Sequence, residues 1–433
     1  MTPTTPGPSD AVWGWRFGLT YGVMGWPLAF LALPLYVVLP HHYATVWGVP
    51  LGVLGVVLLG TRLVDAFSDP WIGRWVDRWF ASNPARVLRR TGVAALLLGL
   101  GFSSLFAPPV VPWGLSTDGL LWWLGAALVL TYLAYSVVSV VHQSWGARLG
   151  GDPVQRGRVV AWREACGLGG VVFGAVLPQW GGVWALVVGL WVALVVGLCL
   201  WWRAPVPKAT GFGAETSNVP NAPIRPWAHP AFRRLLLVFV VNGVASALPA
   251  TLLLFFMQDR LAAPRFAEPV VLGLYFLAGA LSLPLWLRAV ARWGLAHTWL
   301  GGMLLAIAAF AGTVTLGAGD WPLFAVICAV SGLALGADLA LPSALLAGVV
   351  AEVGGRGRAE GAFVGWWALA TKLNLALAAG VALPALAWWG YTPGTQDPAG
   401  LQALTWAYAG LPCVLKGVAA CALYTLLIRK GVS

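Results

Sequence analysis

About twelve apolar segments follow one another along the chain, most of them as long as a membrane-spanning helix. They lie near 14–40, 46–74, 91–108, 118–147, 159–181, 183–202, 231–257, 269–290, 296–317, 321–351, 359–389 and 402–428. A bilayer core of about 30 Å requires roughly 20 apolar residues per helix. The segments are continuously apolar and lack the alternation of a transmembrane β-barrel. The sequence therefore predicts an all-α integral membrane protein with about twelve transmembrane helices.

Composition supports this class. The chain has 433 residues, of which 59% are hydrophobic and 9% charged, whereas about a quarter of the residues are charged in soluble domains. The formal net charge is +11, but the basic residues fall between apolar segments and form no patch with interleaved aromatics. We expect no nucleic-acid partner. The five cysteines are scattered through apolar runs without CxxC spacing, which favours packing over metal binding.

The longest polar interruption, 203–230, is rich in Pro, Ala, Gly and Asn, and we interpret it as a flexible cytoplasmic linker. It separates an N-terminal half, 1–202, from a C-terminal half, 231–433, with six spans each. Two six-helix halves resemble the organisation of major facilitator transporters, in which substrate binds near the bilayer midplane. The sequence thus predicts a major facilitator fold.

The basic residues also predict the orientation in the membrane. Twenty Lys and Arg residues fall on the side that carries both termini and the linker, and only Arg260 and Arg265 fall on the other. Positively charged loops remain cytoplasmic. We therefore place the protein in the plasma membrane, the inner membrane of a bacterium, with both termini cytoplasmic. The Pro-rich start has no basic n-region or cleavage site, so we expect no signal peptide.

Few charged residues lie within the predicted spans. A charge at the centre of a membrane helix costs about 2.5–3.5 kcal/mol, so such residues are by default functional or paired. Lys416 lies near the end of a span, where we expect it to snorkel. The other candidates, with one titratable neighbour, are Arg62, Asp65, Asp69, Arg163, Glu164, Asp338, Lys372 and His142.

Three of these candidates invite separate interpretations. His142 is either a proton relay or an ordinary hydrogen-bonded interior histidine. We expect Asp338, deep in the tenth span, to pair with Lys372 or Arg163. We expect Glu164 to face away from Arg163 and to pair within its own half.

The second span carries a cluster of charges. Arg62, Asp65 and Asp69 are spaced i, i+3 and i+7, which places them on one helix face, and Ser68 adds a hydroxyl. Two carboxylates one turn apart repel each other unless a cation lies between them or one is protonated. Hard oxygen ligands suit Na⁺ or H⁺. We predict a monovalent-cation site at Asp65 and Asp69. The alternative is structural: Asp65 pairs with Arg62, and Asp69 caps a helix that restarts at Pro70.

The sequence GRWVDRW follows directly and contains G-x-x-x-D-R, a cytoplasmic-loop signature of the major facilitator superfamily. We expect Asp77 and Arg78 to stabilise one conformational state through charge contacts between helix ends. The same network of gating charges would include Arg62, Glu164, Asp338 and His142.

A closer resemblance lies in YGVMGWPLAF and RLVDAFSDPWIGRWVD. These stretches are similar to the glycoside–pentoside–hexuronide:cation symporters, the melibiose-permease branch of the superfamily. In that family the second-span motif R-x-x-D-A-x-x-D-P supplies acidic ligands for Na⁺, Li⁺ or H⁺. The resemblance implies that Asp65, Ser68 and Asp69 bind the cation. Ser68 stands where members that use Na⁺ often have Asn, which leaves the ion open.

The resemblance extends to the fourth, fifth and eleventh spans and implies further roles. Ser136 matches a hydroxyl that helps to hold the cation, beside Tyr135. The resemblance implies substrate-binding positions at Arg163, Lys372, Ser139 and Gln143. Trp26 and Trp366 are candidates for an aromatic platform that stacks on the substrate. Sugar-binding members carry acidic residues in the first and fourth spans, where this chain has Gly25, Trp26, Pro27 and Ser139. A less polar substrate is therefore possible.

The function expected from these features is cation-coupled symport of a small organic solute, with a sugar or glycoside as the first expectation. A carrier of lipid, lysolipid or another amphiphile with the same fold is the alternative. We expect a monomer in the lipid bilayer that uses no cofactor besides the coupling ion, Na⁺ or H⁺, and no metal besides that Na⁺ at Asp65 and Asp69. The spans contain no HExxH or GxSxG motif, so we do not expect an enzyme.

Overall fold

The computed structural model describes residues 14–32, 34–82, 84–108, 117–207, 224–264, 266–355, 358–392 and 394–429. Within these ranges the chain is mostly helical, and none of the described residues forms a strand. The start of the chain, 1–13, and the centre of the predicted linker, 208–223, lie outside the described residues. The prediction of an all-α protein is confirmed.

Fourteen α-helices are described, joined in places by short π-helical or 3₁₀ turns. In chain order they are α1 (Trp15–Gly22), α2 (Gly25–Phe30), α3 (Leu39–Val46), α4 (Leu51–Ser82), α5 (Pro84–Phe106), α6 (Thr117–Leu149), α7 (Pro153–Val176), α8 (Pro178–Trp201), α9 (Pro230–Phe255), α10 (Ala267–Ala311), α11 (Trp321–Glu352), α12 (Glu360–Trp388), α13 (Pro398–Thr405) and α14 (Leu411–Leu423). The π-helical turns are Pro34–Val38, Phe256–Arg260, Trp406–Gly410 and Tyr424–Ile428, and the 3₁₀ turns are Pro226–Ala228 and Gly312–Thr315.

Each of the twelve apolar segments lies mainly on these helices. Two of them share α10, which bends at Gly294, where φ is +76° and the residue is free of the Cβ penalty. Seven helical stretches among the described residues are long and apolar enough to cross a membrane, or eight if the bent pair Trp15–Gly22 and Gly25–Tyr36 is one span. The helices α4, α5 and α12 are not among them.

The chain forms two compact units. The first comprises Met1–Gly151, Arg158–Ile224 and Gly354–Ala368, and the second comprises Asp152–Gly157, Arg225–Val353 and Leu369–Ser433. The start of α12 therefore belongs to the first unit, although it lies late in the sequence. Each unit is described separately below.

Glycines bring the helices of the first unit into close contact. A Cβ atom at Gly22 would lie 2.7 Å from the carbonyl oxygen of Trp162, and one at Gly170 would lie 2.2 Å from that of Trp26. These contacts hold the first span against α7. A Cβ atom at Gly365 would lie 2.4 Å from the carbonyl oxygen of Asp69, so the start of α12 packs against the charged part of α4. Such close approach of backbones at small residues is typical of membrane helices.

The second unit has an aromatic core. The ring of Phe256 stacks on that of Tyr408 with centroids 4.1 Å apart, and Phe310 and Phe324 pack around the same tyrosine. The helices α10 and α11 pack along each other, as do α9 and α14. This core forms one wall of a cavity considered below.

Candidate functional site

The predicted cation ligands lie together inside the first unit. Asp65 is 6% exposed and Asp69 is fully buried. Ser136 of the neighbouring helix α6 donates a hydrogen bond of 2.7 Å from its Oγ to Asp65 Oδ1. Asp65, one helical turn from Asp69, is thus hydrogen-bonded to the Ser136 hydroxyl, whose oxygen can also coordinate a cation. The structure brings Asp65, Asp69 and Ser136 together as the sequence predicts.

The Arg62 side chain does not make the contact with Asp65 that the structural alternative requires. Its guanidinium carbon lies 3.3 Å from the centroid of the Tyr36 ring. No ion pair joins Arg62 to Asp65 in the described part of the chain, and α4 continues through Pro70 without a break. An ion pair with Arg62 and a cap at Pro70 therefore do not explain the two carboxylates. The arginine is retained beside the cluster by a cation–π contact.

Ser68 is also a predicted cation ligand, but its hydroxyl bonds to the main chain and not to a carboxylate. Its Oγ donates a hydrogen bond of 2.7 Å to the main-chain oxygen of Asp65, one helical turn earlier. The hydroxyl proton is committed to this bond, but the oxygen keeps lone pairs that can accept or coordinate. The geometry thus leaves Ser68 available as a neutral oxygen ligand.

A polar face runs along α6 beyond Ser136. Tyr135, Ser139 and Gln143 follow at intervals of four residues and are all half-buried. Gln143 Nε2 donates to Ser139 Oγ over 3.0 Å. These neutral donors and acceptors can bind hydroxyl or carbonyl groups of a solute, but they provide no carboxylate for a sugar.

Arg163 and Glu164 form an ion pair, which corrects the expectation that Glu164 faces away but agrees with the expectation of a partner in its own half. Arg163 Nη2 lies 2.5 Å and Nε 2.9 Å from Glu164 Oε1. Although adjacent residues point in different directions on a helix, the long arginine side chain bends back to reach the carboxylate. The pair is mostly buried in the first unit, on the helix that packs against Trp26.

The remaining predicted substrate residues belong to different units. Trp26 is half-buried on α2, with its ring centroid 5.6 Å from that of Phe173. Trp366 is half-buried at the start of α12 and belongs to the first unit, whereas Lys372, further along the same helix, belongs to the second.

His142 is built into the interior of the first unit. It is fully buried, its Nε2 lies 2.9 Å from the carbonyl oxygen of Tyr21, and the Tyr21 hydroxyl donates to the His142 carbonyl. The contact to a carbonyl requires the proton on Nε2, and Nδ1 is buried without a hydrogen-bond partner among the described residues. A second proton would therefore be buried without an acceptor. This geometry favours the interior histidine over the proton relay.

A charge network lies at the far end of α4. Arg148 Nη2 lies 2.7 Å from Asp77 Oδ1 and 3.0 Å from Glu360 Oε2. Asp77 also accepts hydrogen bonds from the backbone nitrogens of Gly361 and Ala362, at 2.7 and 2.8 Å. The carboxylate thus caps the N-terminus of α12, where amide groups favour an anion.

Arg148 and Glu360 were not among the predicted site residues. From the sequence, Arg148 contributes only to the predicted membrane orientation, because no nearby motif indicates that it pairs with Asp77, 71 residues earlier. Arg78, the second charge of the motif, is exposed and forms no ion pair within the described ranges.

Asp338 pairs with Lys416, which corrects the expected partners Lys372 and Arg163. Lys416 Nζ lies 2.5 Å from Asp338 Oδ2 and 3.0 Å from Asn242 Oδ1. Lys416 is only 8% exposed, so it does not snorkel as expected. The sequence placed Lys416 near the end of a span, but α14 places it against α9 and α11 inside the second unit.

Buried carboxylates, ion pairs and a polar helix face among apolar helices are typical of a membrane transporter. The chain belongs to the family of MFS/sugar transport proteins, whose model matches residues 19–430. This family covers nearly the whole chain and confirms the predicted major facilitator fold, and it is a family of transport proteins and not of enzymes.

Similar proteins agree with the family. The inner membrane symporter YicJ of Escherichia coli (strain K12) is 28% identical over 139 residues, which are 31% of this chain and 28% of that protein. The match thus spans less than a third of that relative's length. A bacterial homologue of the iron transporter ferroportin in an outward-facing state has a TM-score of 0.68 at 16% identity, covering 95% of this chain and 98% of its own. The proton:xylose symporter XylE has a TM-score of 0.63 at 11% identity, covering 96% and 94%. At these identities the structures share the fold alone.

Proposed function

We propose that this protein is a secondary active transporter that couples the downhill movement of Na⁺ or H⁺ to uptake of a small organic solute by alternating access. The observation that carries the proposal is the hydrogen bond from Ser136 to Asp65, one helical turn from the fully buried Asp69. Buried carboxylates in a membrane span are costly and are retained where ions or protons bind. The partial match to a symporter supports the same class.

The coupling follows from charge. With both carboxylates ionised and no cation bound, the site carries repulsion that opposes movement through the low-dielectric bilayer. A bound Na⁺, or a proton, lowers that charge and stabilises the conformation that can reorient. A ligand shifts a conformational equilibrium only by its differential affinity for the two states, so the cation must bind one state more tightly.

We expect the solute to be a sugar or glycoside, because the family model is that of MFS/sugar transport proteins. Ser139 and Gln143 supply neutral hydrogen bonds, and Trp26 and Trp366 supply aromatic surface for a ring. The shortage of carboxylates on this face makes an amphiphile such as a lysolipid the alternative to be tested beside sugars.

Purified protein in proteoliposomes tests the function. A panel of sugars, glycosides, organic acids and lysolipids is added under an imposed Na⁺ or H⁺ gradient, and solute uptake and ion flux are measured. We expect one solute class to drive stoichiometric flux of one of the two ions, absent from empty liposomes. Solute uptake that neither gradient accelerates would contradict cation coupling.

The stacking of Arg62 on Tyr36 predicts a smaller effect. Replacing Tyr36 with leucine removes the ring and releases the guanidinium toward Asp65, where it competes with the cation. A cation–π contact at a partly exposed site is worth about 0.5–1 kcal/mol, so we expect the apparent affinity for the coupling ion to weaken roughly twofold to fivefold. Tyr36→Phe keeps the ring and is the matched control. Equal affinities of the two variants would show that the ring does not position Arg62.

We further propose a monomer in the inner membrane with both termini in the cytoplasm. The proposed orientation rests on the twenty-to-two distribution of basic residues. A C-terminal fusion to a reporter that is fluorescent only in the cytoplasm measures the orientation, and a dark fusion at normal expression would contradict it.

A further inference from the structure

The second unit contains a cavity that the proposed transport cycle does not use. Its volume is about 150 Å³, and its walls are mostly apolar, formed by α9, α10, α11, α14 and the turn Trp406–Gly410. The ion pair of Lys416 and Asp338 lies at its boundary. We propose that this cavity binds a small neutral molecule with an apolar ring and one hydroxyl or carbonyl group, of the phenol class.

Two tyrosine side chains in the cavity wall carry hydroxyl groups that can hydrogen-bond to a ligand. Tyr275 and Tyr408 both line the cavity, and Tyr408 is only 2% exposed. Neither hydroxyl forms a hydrogen bond with any described residue, whereas the buried tyrosines Tyr21 and Tyr43 of the first unit donate to main-chain carbonyls. A hydroxyl in the wall of a cavity can donate to an acceptor that enters the cavity. A ligand oxygen can therefore accept from Tyr275 or Tyr408.

The ion pair at the cavity boundary indicates that the ligand is neutral. Lys416 Nζ already contacts Asp338, Asn242 and Ser246, at 2.5, 3.0 and 3.3 Å. The second carboxylate oxygen, Asp338 Oδ1, accepts from Trp299 Nε1 over 2.9 Å and from Asn242 Nδ2 over 3.2 Å. The pair is neutral as a whole and its hydrogen bonds are made. A charged ligand would add an uncompensated charge in a low-dielectric interior, so a neutral ligand fits.

The volume and the walls determine its size. An apolar cavity of about 150 Å³ is large enough for benzene. The aromatic side chains Phe276, Phe310 and Tyr408 line the space, and an apolar ring packs well against such rings. The ligand class is therefore a single six-membered ring with one polar substituent, smaller than a disaccharide or a lipid.

The experiment uses 4-fluorophenol as the probe and the purified full chain in nanodiscs, with bound probe followed by ¹⁹F NMR. Fluorobenzene, which lacks the hydroxyl, is the matched probe. We expect saturable binding of 4-fluorophenol and a weaker affinity for fluorobenzene. Tyr408→Phe removes one donor and keeps the ring, and a lost hydrogen bond weakens binding of 4-fluorophenol about twofold to tenfold, with no change for fluorobenzene.

Two further variants complete the test. Ala334→Phe fills the cavity from α11 and is expected to abolish saturable binding, and Tyr424→Phe, an exposed tyrosine outside the cavity, is expected to bind as the wild type does. Binding of both probes that persists unchanged in Tyr408→Phe and Ala334→Phe would represent partitioning into the bilayer and would overturn the proposal. Absence of saturable binding to the wild type would overturn it as well. Neither result bears on cation coupling, which is measured separately by flux.

Discussion

Replacing Asp65 with asparagine is expected to abolish gradient-driven accumulation of the solute while the protein still folds and inserts. The amide keeps the shape of the carboxylate and can still interact with Ser136, but it no longer attracts a cation or accepts a proton. Interactions with a charged group are worth about 1.5–3 kcal/mol, which corresponds to a loss of cation affinity of roughly tenfold to a hundredfold. Uptake into proteoliposomes under an imposed Na⁺ or H⁺ gradient measures the effect.

Asp69→Asn is expected to have the same consequence, and exchange of labelled for unlabelled solute, which needs no net cation movement, is expected to persist in part. Asp118→Asn is the matched control, because Asp118 is an exposed carboxylate at the start of α6. Full accumulation by the double variant Asp65→Asn/Asp69→Asn would refute the assignment of these residues to the coupling site.

The helical architecture could be predicted from the sequence because its determinants are local. An apolar run of about twenty residues specifies a membrane helix wherever it occurs, and the i, i+3, i+7 spacing alone places Arg62, Asp65 and Asp69 on one face. The contact between Asp65 and Ser136 followed from the family resemblance, since no local pattern relates residues 71 positions apart.

The partners of the charged residues were harder to predict. Arg62 was expected to pair with a carboxylate if it paired at all, but the ring of Tyr36 provides its contact. Glu164 was expected to face away from Arg163, because helix geometry separates adjacent Cβ atoms, but the reach of a long side chain exceeds that separation. Composition and spacing carry no information about such contacts, which depend on rotamers and on which helices pack.

The pairing of Lys416 with Asp338 shows the same limit and leads to the second large prediction. Replacing Lys416 with methionine keeps an unbranched side chain of similar length but leaves the Asp338 carboxylate without its cation. The side chains of this pair are 10% and 14% exposed. Breaking a mostly buried ion pair by removing one partner costs about 3–5 kcal/mol, because an uncompensated charge remains. We expect a clearly lower unfolding temperature of the detergent-solubilised protein, measured by intrinsic fluorescence.

A double variant separates the cost of the orphaned charge from the loss of packing. Lys416→Met/Asp338→Asn removes both charges, and an amide at position 338 can still accept from Trp299 and Asn242, so most of the lost stability is expected to return. Replacing a complete buried pair by neutral groups is often close to neutral for stability. Arg292→Met, at an exposed position of the same unit, is the control for loss of one positive charge. A double variant no more stable than Lys416→Met would mean that the lysine contributes packing, and that the ion pair does not hold α11 and α14 together.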